Sequence, residues 1–404
     1  MPFAVYVLGL AVFAQGTSEF MLSGLLSGIA DDLHVSLGAA GLLTSAFAVG
    51  MVVGAPLAAL VGRTWPRRRA LLFFLGAFIT AHVVGALTSS YGVLLATRVA
   101  GALANAGFWA VALVTALALA GPHRRARATA VVVGGVTVAC VVGVPAGAAL
   151  GELWGWRSAF WAVALVSVPA VVALLMVLPG DRPDDAPQAG ARSELRALGR
   201  PRLLGTLLVM ALVQGATFCT FSYLEPLVTR VTGIGQGWVP MVLALFGVGS
   251  FAGVTLAGRL ADARPDAVIG FGMSALAAGW AALALTASYP VAALTLVLIQ
   301  GALAFGTGTT LITRVFQLAP DAPTLAGSFA TAAFNVGAAT GPWLGGLALG
   351  GGFGLRAPVR VSALLMCAAL VGVWVLWASS GAAERGRLSA RGRLSARERR
   401  EHSG

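Results

Sequence analysis

The sequence predicts an all-α membrane protein of twelve transmembrane helices in two pseudo-symmetric six-helix bundles. Three observations carry this. Of 404 residues, 58% are hydrophobic and only 10% charged, against about 25% charged in a soluble domain. So much apolar surface has no place in a water-soluble core, and the apolar runs are continuous rather than alternating, which fits a β-barrel poorly. The runs number twelve, each near the roughly 20 residues a membrane-spanning helix needs. Finally, short elements of the first half recur in the second at a nearly constant offset.

The runs fall at 4–26, 37–61, 70–88, 92–119, 128–150, 158–178, 202–228, 237–258, 267–287, 291–317, 324–349 and 358–379, numbered here as spans 1 to 12. Span 1 reads as a retained helix rather than a signal peptide, because it lacks a basic leader and a small-residue cleavage site. The longest connection, 179–201, contains Pro179, Pro183, Pro187 and Pro201. It divides the chain into a bundle at 1–178, a linker at 179–201, a bundle at 202–380 and a basic tail at 381–404. The tail carries RGRLSA twice, at 385–390 and 391–396.

Arginine placement sets the orientation. With the N-terminus inside, cytoplasmic loops and tail hold 21 Arg and external loops hold four, Arg157, Arg230, Arg356 and Arg360. That positive-inside bias places both termini in the cytoplasm. The Arg-rich, Lys-free composition points to a GC-rich bacterial genome, hence a bacterial inner or plasma membrane.

The halves repeat. Gln15-Gly16 recurs as Gln214-Gly215, Gly101-Ala-Leu-Ala104 as Gly301-Ala-Leu-Ala304, and Pro145 answers Pro342, at offsets of 199, 200 and 197. An offset that crosses an even number of helices leaves the repeats in the same orientation. Parallel repeats imply a midplane cavity and alternating access by rocking of the halves.

The composition also excludes chemistry. All 27 basic residues are Arg. Without Lys there is neither a Walker A phosphate loop nor Schiff-base catalysis. Cys140, Cys219 and Cys367 are far apart in apolar stretches, and His34, His82, His123 and His402 are scattered, so no metal or disulfide framework is expected. No cofactor, enzyme activity or nucleic-acid partner is expected. The net charge of +12 sits in loops facing anionic lipid.

Polar groups inside spans are costly and head the list of functional candidates. Glu19 lies deep in span 1, within Gln15-Gly16-Thr17-Ser18-Glu19-Phe20, ~22 Å from the helix start. A carboxyl in low dielectric can bind and release a proton near neutral pH, as proton-coupled transport requires. A structural Glu, or a solvated one, is the plainer alternative. Glu225 lies before Pro226 in span 7, seven residues beyond Phe218, the repeat mate of Glu19. Two turns place it on nearly the same face, ~10 Å nearer the outer surface, as a second proton or substrate site or as part of a wet mouth. Arg98, near the outer end of span 4, needs a buried carboxylate or carbonyl partner, or snorkels to headgroups. As a fixed charge it can tune a nearby acid. Gln15, Thr17, Asn105, Phe108 and Trp109, with Gln214 and Phe218 from the second half, are the expected cavity lining. The Gly143-Val-Pro145-Ala-Gly147 run marks a kink in span 5. The loops 62–69, with Arg63, Arg67 and Arg68, and 258–264, with Gly258, Asp262 and Arg264, occupy matching positions in the halves.

On these residues the chain resembles the major facilitator superfamily, specifically its drug:proton antiporter branch, over residues 1–380. The family's loop motif, Gly-x-x-x-Asp-Arg-x-Gly-x-Arg-Arg, aligns with Ala58 to Arg68. Arg63, Arg67 and Arg68 match, while Ala58, Gly62 and Trp65 replace the two glycines and the acid. Gly258, Asp262 and Arg264 resemble the second-half copy. Arg98 with Gly101 and Gly107 resembles the span 4 motif tied to proton coupling, and Gly143-x-Pro145-x-Gly147 resembles the exporter motif of span 5. Ala14 to Met21, Leu43 to Phe47 and Gly151 to Arg157 are similar to actinobacterial chloramphenicol-resistance exporters, kin of arabinose-efflux-like permeases. The resemblance implies a monomer that exports chloramphenicol or a related amphenicol, a small amphipathic drug, in exchange for protons. Export of a sugar or small metabolite is the alternative.

Overall fold

Lipid cannot hydrogen-bond a peptide group, so each span must satisfy its backbone internally. The chain does so with helices, and among the described residues it has no strand. The computed structural model describes residues 2–61, 65–120, 124–177, 201–260, 265–319 and 323–374.

Twelve long helices appear where the apolar runs fall. Spans 2, 3, 4 and 6 are single helices, Leu37–Val61, Arg67–Leu87, Tyr91–Ala120 and Arg157–Val177. Spans 9, 10 and 11 are Pro265–Thr286, Pro290–Leu318 and Pro323–Gly350. Together with span 7, which starts at Pro201, these begin on proline, whose missing N–H costs nothing in a first turn. Span 12 is Ala357–Trp374. Among the described residues, eleven helices are long and apolar enough to cross a membrane. The remaining long helix, Pro323–Gly350, has 28 residues but carries Thr, Ser and Asn along its length, and it packs against spans 2 and 7.

Three spans are broken. Span 1 is Phe3–Phe20, then a 3-10 turn, Met21–Gly24, followed by a short helix, Leu26–Asp32, where a loop was expected. Span 5 is Arg125–Val138, a π-helical turn, Ala139–Gly143, and Val144–Trp154. Pro145 has no N–H for the ordinary helical ladder, and the wider turn just before it absorbs the mismatch. Span 7 is Pro201–Ser222, then Leu224–Arg230 after a break at Tyr223. Span 8 is Val239–Leu260, entered through a 3-10 turn, Gln236–Trp238.

In lipid, helix association relies on close packing of small residues rather than on expulsion of water. Phe73, Leu165, Phe271 and Leu364 accordingly stay exposed on the outside of the bundle. Among the described residues, the closest backbone-to-backbone contacts use glycines four apart. A Cβ on Gly249 would lie 2.1 Å from the Leu298 carbonyl oxygen, and one on Gly253 2.0 Å from that of Ala302. Spans 8 and 10 therefore touch backbone to backbone. Spans 2 and 4 do the same through Gly50, against Val99, and Gly54, against Leu103. All four residues of one contact map onto the other at an offset of 199. This register departs from the Gly101/Gly301 match. Gly301 faces Phe246 in span 8, whereas Gly101 faces Ala81 and His82 in span 3. At 199 the mate of Gly301 is Ala102, which clusters with Phe47, the mate of Phe246.

The end of the bundle near Phe3 and Pro201 is termed proximal, the opposite end distal. The halves meet along a seam at the distal end. Gly38 backs onto Gly346, where a Cβ would lie 2.9 Å from the Gly346 oxygen. Tyr223 wedges between Gly41 and Gly345 and donates to the Pro342 oxygen at 2.8 Å. Further along, Gly24 abuts Ala148 and Leu243, and Gly247 of span 8 abuts the backbone of Cys140 in the π-turn. Phe20 reaches across to Phe218 and Phe221, with ring centroids 5.5 and 6.4 Å away.

Candidate functional site

The polar centre of the first half is built on span 1. Helical spacing places Gln15, Ser18 and Glu19 on one face, and Ser18 on it meets His82 of span 3 and Arg98 of span 4. Span 4 runs antiparallel beside them and delivers Arg98 two turns from its distal end. Arg98 is 1% exposed. Its Nη1 donates to Ser18 Oγ at 2.9 Å and its Nη2 to the Ser18 carbonyl at 2.8 Å. Phe47 lies under the guanidinium at 4.4 Å, with Phe160 at 6.0 Å. The buried cation thus has neutral hydrogen-bond acceptors and two aromatic faces. It does not snorkel.

His82 of span 3 completes the network and can be assigned by donor counting. Its Nδ1 lies 2.8 Å from the Phe78 carbonyl, which only accepts, so Nδ1 carries the proton. Nε2 of the neutral ring is then an acceptor, and the Ser18 hydroxyl, 2.6 Å away, donates to it. Ser18 in turn accepts from Arg98. The chain runs from guanidinium to hydroxyl to imidazole to carbonyl, each group used once. Sequence reading gave His82 and Ser18 no role. A lone His among apolar residues resembles a core residue, and only the partner distances distinguish the two.

Glu19 follows Ser18 directly. It is partly exposed. Among the described residues no donor hydrogen-bonds its carboxylate.

The other candidates separate. Gln15 and Asn105 are fully buried, and among the described residues both polar atoms of each amide lack partners. Thr17 turns back onto the Phe13 carbonyl at 2.9 Å. Phe108 is fully buried in the apolar core of the first half, and Trp109 packs against that core. Gln214 is half-buried, and Phe218 sits in the aromatic cluster that crosses the seam. Gly143 lies against Thr17, where a Cβ would be 2.0 Å from Oγ1, and Gly147 lies against Met21. The π-turn and Pro145 therefore sit between span 1 on one side and span 8 on the other. Arg68 donates to the Leu175 carbonyl at 2.7 Å, tying the first loop to the end of span 6. Arg67 is half-buried beside it. Arg63, Asp262, Arg264, the side-chain surroundings of Gly258, the linker 178–200 and the tail from 375 lie outside the described residues. Glu225 is not near the central group. The break at Tyr223 carries it to the distal seam, where it accepts from the Ser27 backbone N–H. Among the described residues no cluster of His, Cys, Asp or Glu can hold a metal ion.

At 199 the mates of Glu19 and Arg98 are Phe218 and Val297, so this pair has no charged counterpart in the second half. The GELWGWR element acts elsewhere. Arg157 pairs with Asp32 at 2.5 Å, Trp156 donates to the same carboxylate at 3.1 Å, and Arg157 lies 4.4 Å over the Trp156 ring. These contacts, led by the Arg157 hydrogen bond, hold the Asp32 carboxyl below its usual range.

Twelve membrane helices in two repeated halves, with a buried charge network inside one of them, define a polytopic membrane transporter. The chain belongs to the Major Facilitator Superfamily, whose family model matches residues 8–327, and is a transporter rather than an enzyme. It is 54% identical over 373 residues to a chloramphenicol resistance protein of Streptomyces lividans, covering 92% of this chain and 95% of that one. It is 34% identical over 377 residues to the inner membrane transport protein YdhP of Escherichia coli K12, covering 92% and 95%. A crystal structure of a bacterial homolog of the human lysosomal transporter Spinster, inward-facing and unoccupied, matches with a TM-score of 0.73 over 93% of this chain and 95% of that one. At 19% identity that likeness is one of fold.

Proposed function

We propose that this chain exports chloramphenicol or a related amphenicol from a bacterial cell in exchange for protons, by alternating access, as a monomer with both termini in the cytoplasm. The observation that carries proton coupling is the position of Glu19. It is a partly exposed carboxyl one residue from Ser18, whose two oxygens hold Arg98. The 54% identity to a relative named for chloramphenicol resistance supports the substrate.

On this reading the distal end faces outside, as the arginine bias requires, and the closed seam belongs to a state shut to the outside. Glu19 takes a proton from the outside. Closure of the seam turns it toward the cytoplasm, where it loses the proton as drug enters the space between the halves. Arg98 sets how tightly Glu19 holds that proton. The buried, unpartnered amides of Gln15 and Asn105 supply hydrogen bonds to the cargo once the halves part, with Thr17, Gln214, Phe218, Phe108 and Trp109 around them. The π-turn at Gly143, Pro145 and Gly147 is the flexing element. The loops with Arg63, Arg67 and Arg68, and with Gly258, Asp262 and Arg264, close the cytoplasmic side. The two unpartnered amides also suit a polyhydroxylated cargo, which keeps sugar or metabolite export as the second reading.

The test is accumulation of labelled chloramphenicol in cells expressing the chain, with and without a protonophore. Low accumulation that rises on adding protonophore is the expected result. Accumulation equal to that of control cells removes chloramphenicol as substrate and moves the metabolite reading to first place. Full pH-driven export by Glu19→Gln would remove Glu19 as the coupling site.

A further inference from the structure

Ser27 and Glu225 are 198 residues apart, belong to different halves, and meet at the distal seam. The Ser27 backbone N–H donates to Glu225 Oε2 at 3.1 Å. Glu225 is 2% exposed, and among the described residues its Oε1 has no partner. The residue lines a cavity of about 220 Å³ with Gly24, Gly28, Ala148, Glu152, Gln236 and Val239. At about 30 Å³ per water, this space holds several waters. It is small for an aromatic drug, so a proton carried by water is the ligand that fits.

The charged surroundings are few. Glu152 lines the same cavity, its carboxylate 3.2 Å from where a Cβ on Gly237 would lie. Arg230, one turn along the short helix Leu224–Arg230, reaches Ser27 Oγ at 3.5 Å. Asp31 and Asp32 lie at the far end of the facing helix Leu26–Asp32, and Asp32 is occupied by Arg157. The turn Met21–Gly24 carries no charged residue, and the only charged residue of span 8, Arg259, lies at its other end.

We propose that Glu225 is a second proton site, loaded from the outer face through this cavity, whose charged form ties the two halves shut. The proposal deepens the export reading and rests on its orientation. With Glu225 ionised, Oε2 accepts a charge-assisted hydrogen bond, about twice as strong as a neutral one. A hydronium ion from the acidic exterior breaks one O–H bond and leaves water as its proton forms an O–H bond at Oε1 and cancels the charge. Oε2 becomes a neutral carbonyl oxygen, the bond to Ser27 weakens, and the halves part at the distal end. When they close again the proton returns to water, and the tie regains its strength. An acidic exterior, the condition that drives antiport, thus releases the outer seam. Glu19, in the first half's interior, has no such contact across the seam.

The experiment measures opening without any substrate. Val239→Cys, buried at the cavity, is labelled in intact cells by a membrane-impermeant maleimide from mildly acidic to mildly alkaline external pH. Gly28→Cys, on the exposed rim, measures the reagent's own pH dependence, and the rate is read as the ratio of the two. The parent chain corrects for Cys140, Cys219 and Cys367. With Glu225 present the ratio should rise as the exterior is acidified. Glu225→Gln should raise it roughly fivefold at alkaline pH and flatten its pH dependence. Ser27→Ala keeps the backbone donor and should behave as the parent. A Glu225→Gln ratio that matches the parent at every pH overturns the proposal. If Glu225→Gln does not fold, Glu225→Asp, charged but shorter, should raise the ratio and keep its pH dependence, and a parent-like ratio there overturns the proposal equally. Failure to export chloramphenicol removes the substrate reading and leaves this result standing. A silent Gly28→Cys rim overturns the orientation on which both depend.

Discussion

Arg98 holds both oxygens of Ser18, the hydroxyl at 2.9 Å and the carbonyl at 2.8 Å. The two acceptors diverge from one residue and suit the planar fork of a guanidinium, which also lies 4.4 Å over the Phe47 ring. A lysine can satisfy one acceptor and cannot stack in the same way. Hydrogen bonds to a charged group contribute about 1.5–3 kcal/mol each. Arg98→Lys should therefore lower the drug gradient about tenfold, a loss of about 1.4 kcal/mol in the state that uses the second bond, while leaving expression near normal. Steady-state accumulation with detergent-extracted yield checks this. Export equal to that of the parent would mean that charge alone is needed at this position.

His82 Nε2 accepts a hydrogen bond from the Ser18 hydroxyl, and its Nδ1–H donates to the Phe78 carbonyl. Its role is to position the serine that holds Arg98. His82→Leu leaves the hydroxyl with no acceptor, at a cost of about 1–3 kcal/mol. His82→Gln offers a carbonyl oxygen at similar reach and should recover much of the lost export. The pH profile separates positioning from titration. Glu19→Gln should flatten it, whereas His82→Gln should lower its height and keep its shape. A flattened profile in His82→Gln would place a titrating proton on the imidazole.

The spans were legible because lipid imposes length and apolarity on each of them. Hydropathy predicts span 2 at 37–61, and the helix is Leu37–Val61. The breaks were not legible. Met21-Leu-Ser-Gly-Leu25 is as apolar as the helix before it, so hydropathy continues through a point where the helix stops. The same blindness misplaced Glu225. Counting two unbroken turns from Phe218 put it on the face of Glu19, but the break at Tyr223 directs it to Ser27 of the other half. The repeat was visible, but its register was not fixed, because Ala/Gly-rich segments match by identity at several offsets. The register is set by which glycines lie under a carbonyl, and that depends on pairs of helices. Glu19 and Arg98 stood out because charge in lipid is costly. Ser18 and His82 did not, because each alone is an ordinary helix residue.

The glycine register predicts an order of sensitivity. A methyl group on Gly253 would collide with a backbone oxygen at 2.0 Å, one on Gly54 with the Ala106 Cβ at 2.8 Å, and one on Gly76 with nothing within 4 Å. Overpacking of this kind costs about 1–3 kcal/mol, whereas Gly to Ala on an open helix face gains up to about 1 kcal/mol. Gly253→Ala should lower the thermal midpoint in detergent most, Gly54→Ala less, and Gly76→Ala should leave it unchanged or raise it. Equal effects at all three positions would remove the 199-residue register as the basis of packing.

Asp32 and Arg157 offer a pH test at the distal surface. The two side chains are 45% and 33% exposed, so water and salt screen the pair, and its coupling should be about 0.5–1 kcal/mol. Arg157 holds the Asp32 carboxyl below its usual range, so the folded state favours the ionised form. The contribution is complete above the unfolded value of about 3.9 and is lost as pH falls through the lower folded value. Asp32→Asn should lower the thermal midpoint at neutral pH, converge with the parent in acid, and lose most of its effect in high salt. A double-mutant cycle with Arg157→Gln isolates the pair from the Trp156 contacts. A parent and Asp32→Asn difference that grows as the pH falls would reverse the sign and exclude an ionised Asp32 as the partner of Arg157.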